Sequence, residues 1–179
     1  GPSSTGEINY AKELIKSIPD NSLTIFDRCY LSADLMINWQ RQHSTSHWMI
    51  PIKSNTRYEI VSQLDKKGTD YIVEMKVSKH ARLIDPTLPE TWQARLVLCE
   101  EQSQKKHITG ILTSLISSDY KADEIFNVYF ERWEIENSYG EIKQHMLENE
   151  LLLRSQSVEG VIQEIWGILI AYNLIRVEI

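Results

Sequence analysis

Four side chains of one helix-forming segment, Tyr129, Arg132, Glu136 and Lys143, fall on a single narrow stripe. At roughly 100° per residue they share an arc about 60° wide along about four helical turns. Apolar residues flank the stripe on both sides, with Val128, Ile135, Tyr139 and Ile142 on one side and Phe126, Phe130 and Trp133 on the other. Ionisable groups in such a partly buried position are costly unless they have partners or a task. The stripe therefore indicates either an ion-pair ladder, since Arg132 and Glu136 stand at i and i+4, or a functional site.

A second carboxylate, Asp27, stands at the end of the apolar run SLTIF. The run is short and follows the turn-forming cluster Pro19-Asp20-Asn21, which predicts a buried strand. A helix is predicted from about Ser32 as N-cap, and HWMIPIK predicts the next strand, with Pro51 near its edge or end. These pieces form a β-α-β unit with Asp27 at the carboxyl end of its first strand, where sites of open α/β sheets gather. Taken alone, a strand-end Asp is more often a turn or capping residue.

The elements that must position these residues change type along the chain. A helix is predicted over Ile8–Ile18, before the β-α-β unit. From Asn55 to about Leu115 the pattern changes to period two, in YIVEMKV, WQARLVLCE and HITGILTSL, which predicts an antiparallel β section. Helices are predicted from Lys121 to about Met146 and from about Ser157 to the end of the sequence.

The sequence therefore predicts a mixed α/β fold into which an antiparallel β subdomain is inserted. We expect residues 7–54 and 118–179 to form the α/β part and residues 55–117 to form the inserted β subdomain. The opening GPSSTG, residues 1–6, is interpreted as a cloning remnant and flexible lead-in.

The composition of the 179 residues, 42% hydrophobic and 25% charged, is ordinary for a soluble globular protein. Charged residues interrupt the apolar runs, so neither a membrane segment nor a secretory signal is expected. A net charge of −6 argues mildly against holding nucleic acid by bulk electrostatics alone. Five basic residues around the β section could form a DNA-facing rim or, equally, a solvated mixed-charge surface: Lys53, Arg57, Lys76, Lys79 and Arg82. Cys29 and Cys99 are predicted to be free, buried thiols, and the five histidines show no zinc-binding spacing.

The spacing Tyr-x2-Arg-x3-Glu-x6-Lys resembles the signature of a group of DDE-type bacterial insertion-sequence transposases, the Tyr-Arg-Glu-Lys (YREK) group. LTIFDRCYLSADLM is similar to that family's segment around its second catalytic Asp, which makes Asp27 the matching residue. The β section is similar to the family's inserted β subdomain, and LLLRSQSVEGVIQEIWGILIAYNLIR is similar to its helical close. The resemblance covers nearly the whole chain from about Glu7 and implies a partial ribonuclease-H-like fold.

The resemblance also implies an activity, cut-and-paste DNA transposition by metal-dependent phosphodiester hydrolysis and strand transfer. By this resemblance Asp27 and Glu136 are catalytic carboxylates and ligands of a two-metal Mg²⁺ site, in which Mn²⁺ can substitute. Tyr129, Arg132 and Lys143 correspond to residues that hold the phosphate of the strand that is not transferred. Weaker candidates for DNA contacts are Arg28, Trp92 and Arg154.

The implied partners are transposon-end DNA, target DNA and a second copy of the chain in a homodimeric synaptic complex. The implied location is the bacterial cytoplasm, in association with the nucleoid. The family's first catalytic Asp lies on an earlier strand, and Asp20 cannot replace it because it lies in the turn just before the Asp27 strand. We therefore expect this chain to be the C-terminal part of a catalytic domain and to be catalytically incomplete alone.

Two alternatives stay open at this point. One is a ribonuclease-H-like nuclease that cuts DNA without joining it. The other is a domesticated, non-catalytic module that binds DNA or dimerises, for which Asp27 and Glu136 would be dispensable.

Overall fold

The computed structural model of the chain describes residues 6–99, 108–116, 120–146 and 153–178. They fall within two compact units, Gly1–Tyr129 and Phe130–Ile179. The helices are α1 (Glu7–Leu14), α2 (Ala33–Gln42), α3 (Lys79–Ile84), α4 (Ala122–Glu131), α5 (Trp133–Glu141) and α6 (Val158–Glu178). The strands are β1 (Leu23–Ile25), β2 (His47–Pro51), β3 (Glu59–Gln63), β4 (Asp70–Lys76), β5 (Thr91–Leu98) and β6 (Gly110–Thr113).

The six strands of the first unit form one mixed sheet in the order β1-β2-β6-β5-β4-β3. β1 and β2 are parallel, and the other neighbouring pairs are antiparallel. β6 lies between β2 and β5, so that Leu112 pairs with Ile50 on one side and with Leu96 on the other. The predicted mixed α/β class is confirmed and is consistent with a ribonuclease-H-like transposase fold. The strands of the predicted insertion continue the sheet of the β-α-β unit, and the proposed domain limits stay a prediction.

The main core lies between α2 and one face of this sheet. Leu35, Met36 and Trp39 recur at helical spacing on α2 and are at most 3% exposed. They belong to the same buried cluster as Trp48 and Ile50 of β2. Removing one such side chain from water contributes about 1.5–3 kcal/mol, so this packing holds the β1-α2-β2 unit together. It thereby fixes the loop between β1 and α2, which contains Asp27.

The segment predicted as one helix over residues 121–146 is interrupted twice. α4 ends at Glu131, Arg132 forms a turn, and α5 is followed by a π-helical turn, Ile142–Met146. The N–H of Ile142 donates to the carbonyls of both Ser138 and Tyr139, where the hydrogen-bonding pattern changes. Gly140, a poor helix former, immediately precedes this change. Lys143 lies in this π turn, beyond the end of α5.

The prediction that the two cysteines are buried was wrong, whereas the N-cap positions predicted at Ser32 and Ser157 were confirmed. Cys29 is exposed and Cys99 only half-buried, because Cys29 lies in the 3₁₀ turn Arg28–Tyr30 after β1 and Cys99 follows the end of β5. Ser32 occupies the N-cap position of α2 but makes no side-chain capping hydrogen bond. Ser157 caps α6 as predicted, since its Oγ accepts the N–H of Gly160 at 3.1 Å.

α6 is apolar on all sides, and its stretch Val158–Val177 contains an 18-residue window of mean hydropathy 1.3. By length and composition alone this stretch could cross a membrane. A helix that packs in a protein interior has the same composition, and Glu164 in the middle of the stretch would be costly in lipid. The stretch is therefore weak evidence for a span, and the expected absence of a membrane segment stays a prediction.

We predict that Leu35→Ala lowers the free energy of unfolding by about 2–5 kcal/mol, because it leaves a cavity beneath α2. Urea denaturation followed by circular dichroism measures this loss. The matched control is Leu83→Ala on α3, whose side chain is 80% exposed, and which should change stability by no more than about 0.5 kcal/mol. Equal effects of the two substitutions would contradict the placement of the core.

Candidate active site

Asp27 lies on an exposed loop that begins at the carboxyl end of β1. The loop is anchored by the residue before it, because the N–H of Phe26 donates to the carbonyl of Met49 at 2.9 Å and its ring meets that of Trp39 edge-on at 4.9 Å. The Asp27 carboxylate accepts the N–H of Cys29 at 2.9 Å and so caps the 3₁₀ turn Arg28–Tyr30. Asp27 therefore has the capping role expected of a strand-end Asp, and it is also exposed at the sheet edge where sites of α/β proteins gather.

The Asp27 loop disfavours additional negative charge. Burial, followed by the hydrogen bond and the charge of Asp27, raises the pKa of the Cys29 thiol. Burial, followed by the charges of Glu7, Cys29 and Asp27, raises the pKa of the Tyr30 hydroxyl. Desolvation disfavours the charged form of any group, and the carboxylates of Asp27 and Glu7 add to this effect at Cys29 and Tyr30.

Glu136 lies on α5 and forms an ion pair with Arg132, whose Nη1 donates to Glu136 Oε1 at 2.6 Å. The two side chains are 42% and 19% exposed, respectively. The predicted i, i+4 pair is therefore present, and a pair of this kind contributes only about 0.3–0.5 kcal/mol. Because the Glu136 side chain is still well exposed, the pair leaves the carboxylate accessible to a ligand.

The other two residues of the predicted stripe have different surroundings. Tyr129 is 3% exposed and ends the first unit, whereas Arg132, Glu136 and Lys143 belong to the second. Lys143 is exposed in the π turn and lines an apolar hollow of about 450 Å³ with Tyr139 and Leu169. The phosphate-binding roles of Tyr129, Arg132 and Lys143 stay predictions.

Trp92 packs against another core residue and also lines a surface groove. Its ring lies 5.9 Å from that of Trp48, and it also lines a groove of about 740 Å³. The groove is bordered by the basic residues Lys53, Arg57 and Lys76, by the carboxylates Glu59 and Glu74, and by the half-exposed ring of Tyr58. It also borders Leu31, whose carbonyl accepts from Lys53 Nζ at 3.3 Å, so the groove lies beside the chain that follows Asp27.

The remaining two candidates for DNA contacts, Arg28 and Arg154, lie on short irregular segments. Arg28 is half-buried in the 3₁₀ turn that Asp27 caps. Arg154 is exposed, and its N–H donates to Glu164 of α6 at 2.9 Å. The N–H and the hydroxyl of Ser155 donate to the same carboxylate, which fixes this segment on the helix.

Sequence reasoning missed one pair of residues near these elements, Asp70 and Arg95. The two side chains form a buried ion pair with an Nη2–Oδ2 distance of 2.6 Å, and Arg95 also donates to carbonyls of the chain that leads to α4. The signal that could have found them is a cation inside the apolar run of β5, ARLVL, because a buried charge requires a partner.

The donors at Asp27 and Glu136 fit a hard divalent cation, which prefers carboxylate oxygens. Asp27 belongs to the first unit and Glu136 to the second. Within the part of the chain that the structure describes, no three His, Cys, Asp or Glu side chains come together as a metal-binding group.

Comparison with known proteins gives a family match over residues 1–174, to the family described as "Transposase DDE domain". The matched range contains Asp27, Glu136 and the opening hexapeptide. The chain is 37% identical over 176 residues to "Transposase InsG for insertion sequence element IS4" of Escherichia coli K12, which covers 98% of this chain and 39% of that protein. It is 25% identical over 167 residues to "Putative transposase for insertion sequence element IS4SA" of Synechocystis, which covers 93% of this chain and 44% of that protein.

A shorter match, 32% identical over 60 residues, links the chain to "Putative transposase InsZ" of Escherichia coli K12. It covers 34% of this chain and 20% of that protein. The two long matches show that this chain spans about two fifths of the length of the curated relatives it resembles.

We predict that the docking of residues 153–156 on α6 depends on pH through Glu164. The hydrogen bond from the Ser155 hydroxyl, supported by the N–H groups of Arg154 and Ser155, lowers the pKa of Glu164. A carboxylate whose pKa is lower in the folded state stabilises the fold above its unfolded pKa, and this contribution is lost as the pH falls through the folded pKa. The measurement is the thermal unfolding of the wild type and of Glu164→Gln between pH 7 and pH 3. The wild type should be the more stable at neutral pH, and this difference should disappear below about pH 4.

The control for this measurement is Glu131→Gln, a substitution of an exposed residue at the end of α4. The account would be wrong if the difference between the wild type and Glu164→Gln stayed constant across the whole pH range.

Proposed function

Since the chain belongs to the transposase DDE domain family, we propose that it is the C-terminal part of a transposase catalytic domain and carries two of its three catalytic carboxylates. The observation that carries this proposal is the family match over residues 1–174, which includes both Asp27 and Glu136. The first carboxylate would come from sequence outside this chain, in keeping with the two fifths of the relatives' length that the chain spans. This chain alone would then be catalytically incomplete.

In this proposal Asp27 and Glu136 hold divalent cations, Mg²⁺ or Mn²⁺ in its place, in a two-metal site. Bound in this way, such ions activate an attacking water or 3′-hydroxyl and stabilise the leaving oxygen of the phosphodiester. The exposed position of Asp27 at the carboxyl end of β1 supports its role as a ligand. The exposure of Glu136 supports the same role, and its pairing with Arg132 would orient the carboxylate before metal binds.

The DNA partners in this proposal are the ends of a transposon and a target duplex. In this proposal the chain belongs to the YREK group, whose signature the spacing of Tyr129, Arg132, Glu136 and Lys143 resembles. The first, second and fourth of these residues would contact the phosphate of the strand that is not transferred. The groove beside Trp92 supports a further contact, because Lys53, Arg57 and Lys76 border it together with two carboxylates. Arg28 and Arg154 are the weaker candidates. The complete protein would act as a homodimer in the bacterial cytoplasm, at the nucleoid.

The proposal predicts that Asp27→Asn and Glu136→Gln each reduce DNA cleavage by more than about 100-fold, because each removes a metal-ligand charge. The assay uses the longest natural chain that contains this sequence and a plasmid carrying its insertion element, with Mn²⁺ or Mg²⁺. Nicked, cleaved and strand-transfer products are quantified separately. Circular dichroism confirms that each variant is folded.

The matched controls are Asp20→Asn, in the turn before β1, and Glu134→Gln, whose exposed carboxylate lies on the same helix as Glu136. Both controls should cleave DNA as the wild type does. Cleavage without joined products would favour the nuclease alternative. Full cleavage by Asp27→Asn and Glu136→Gln would contradict the catalytic role of the two carboxylates. No cleavage by the wild type, with DNA binding or dimerisation unchanged in both variants, would favour the non-catalytic module.

A further inference from the structure

The short helix α3 presents an apolar patch to solvent, made of Leu83 and Ile84. Leu83 is 80% exposed and Ile84 is 69% exposed. Among the large apolar side chains of the first unit that the structure describes, these are the two highest values. Single exposed apolar residues are ordinary on a protein surface, whereas neighbouring ones on one helix form a surface that suits a partner. α3 is therefore a candidate contact surface.

The opposite side of α3 anchors the helix on the first unit. Ser78 caps the helix, since its Oγ accepts the N–H of Ala81 at 3.1 Å. Ala81 packs against a buried cluster made of Ile37, Val77 and Leu88. Just beyond the helix, Arg41 Nη2 donates to the carbonyl of Thr87 at 2.7 Å. These contacts hold the apolar patch on the outer side, so its exposure is a property of the fold.

Two basic residues share the outer side of α3 with the apolar patch. At roughly 100° per residue, Lys79, His80, Leu83 and Ile84 fall within an arc of about 140°. All four are exposed, and the helix KHARLI contains no carboxylate. The outer face of α3, defined by these four residues, therefore combines apolar surface with positive charge.

The carboxylates that follow α3 have partners of their own. Asp85 accepts from the N–H and the hydroxyl of Thr87 at 3.0 and 2.6 Å. Glu90 forms an ion pair with Arg82 at 3.0 Å. Neither contact involves Lys79, so its charge stays on the outer face.

The outer face lies beside the groove that is proposed above to contact DNA. Lys76 and Ser78 border this groove and lie just before α3 in the chain. The groove is bordered by carboxylates as well as by basic residues, whereas the outer face has no carboxylate. α3 is therefore the part of this border at which a phosphate backbone meets no negative side chain.

We propose that the outer face of α3 binds duplex DNA from the minor groove, with Leu83 and Ile84 as a wedge against the base pairs, an inference that rests on the function proposed above. Leu and Ile are side chains that DNA-bending proteins insert between base steps, where they partly unstack the bases and kink the duplex. Lys79 neutralises a neighbouring phosphate. A second copy of the chain is a poorer occupant, because a two-fold interface would bring the same basic residues of both copies together.

The test measures the affinity and the bending of duplex DNA with the longest natural chain that contains this sequence, without divalent cations, so that no DNA is cut. Two duplexes of equal length are compared, one with an end of the insertion element and one of unrelated sequence. Dyes at the two ends report bending by energy transfer. The variants are Leu83→Ala/Ile84→Ala and Lys79→Ala. Their matched controls are Leu14→Ala and Lys16→Ala, which change exposed residues in and just after α1. All of these positions are exposed, so the variants should fold, which circular dichroism confirms.

We expect the wild type to kink the duplex by about 20–90° and the Leu83→Ala/Ile84→Ala variant to lose most of this bend. The double variant should bind about tenfold more weakly, because it loses apolar contacts, with an unchanged dependence of affinity on salt. Lys79→Ala should keep the bend but reduce the slope of log affinity against log salt by about one. The two controls should bind and bend DNA as the wild type does. A bend in both duplexes would assign the outer face to DNA of any sequence, and a bend in the element end alone would assign it to that end.

A double variant that binds and bends both duplexes as the wild type does would overturn the proposal, as would a wild-type chain that leaves both duplexes straight. Light scattering without DNA tests the other occupant. If the double variant converts a dimer into a monomer and leaves bending unchanged, the outer face binds a second copy and the proposal is wrong.

Failure of this inference can be told apart from failure of the proposed function, because cleavage is measured separately. If Asp27→Asn and Glu136→Gln cleave DNA as the wild type does, the proposed catalytic role is wrong, whatever the bending shows. If both lose cleavage while the Leu83→Ala/Ile84→Ala variant bends DNA as the wild type does, only the role of α3 is wrong.

Discussion

The parallel pairing of β1 with β2 is the constraint on which the candidate site most depends. The pairing brings Ile25 opposite Met49 and requires a crossover, which α2 supplies. The buried face of α2 then fixes the two strands against each other through Leu35, Met36 and Trp39. Asp27 is the first exposed residue after β1 and the buried Phe26. The packing of α2 on β1 and β2 therefore fixes the point at which the Asp27 loop begins.

The charged groups near Asp27 and along the neighbouring groove differ from what the net charge of the protein suggests. The chain as a whole is acidic, with a net charge of −6. Around Asp27, desolvation and then the carboxylates of Asp27 and Glu7 disfavour ionisation of Cys29 and Tyr30. The neighbouring groove is bordered by the basic residues Lys53, Arg57 and Lys76 and by the carboxylates Glu59 and Glu74. Three basic side chains thus lie close to one another in a protein whose net charge is negative.

Much of the fold could be predicted from the sequence because local patterns determine it. Alternation in YIVEMKV gives β4, the run SLTIF gives β1, and Ser157 marks the start of α6 because it caps that helix. The break at Arg132 and the π turn could not be predicted, because the apolar spacing of the segment is compatible with one continuous helix. Cys29 was misplaced for a similar reason, since the apolar run continues beyond the residue at which β1 ends.

The residues discussed at the candidate site also include some that the local sequence predicts and some that it does not. Asp27 and the Arg132–Glu136 pair could be predicted because each depends on residues close in sequence. Asp70 and Arg95 could not be predicted as a pair, because 25 residues separate them and their partners include backbone carbonyls further along the chain. Contacts of this kind depend on sheet register, which a single sequence does not define.

The measurement that tests the central claim most directly is anomalous diffraction from crystals of the longest natural chain grown with Mn²⁺. The account predicts Mn²⁺ bound by carboxylate oxygens of both Asp27 and Glu136, at about 2.0–2.6 Å. Crystals with Mn²⁺ at other carboxylates, and with Glu136 bound only to Arg132, would contradict it.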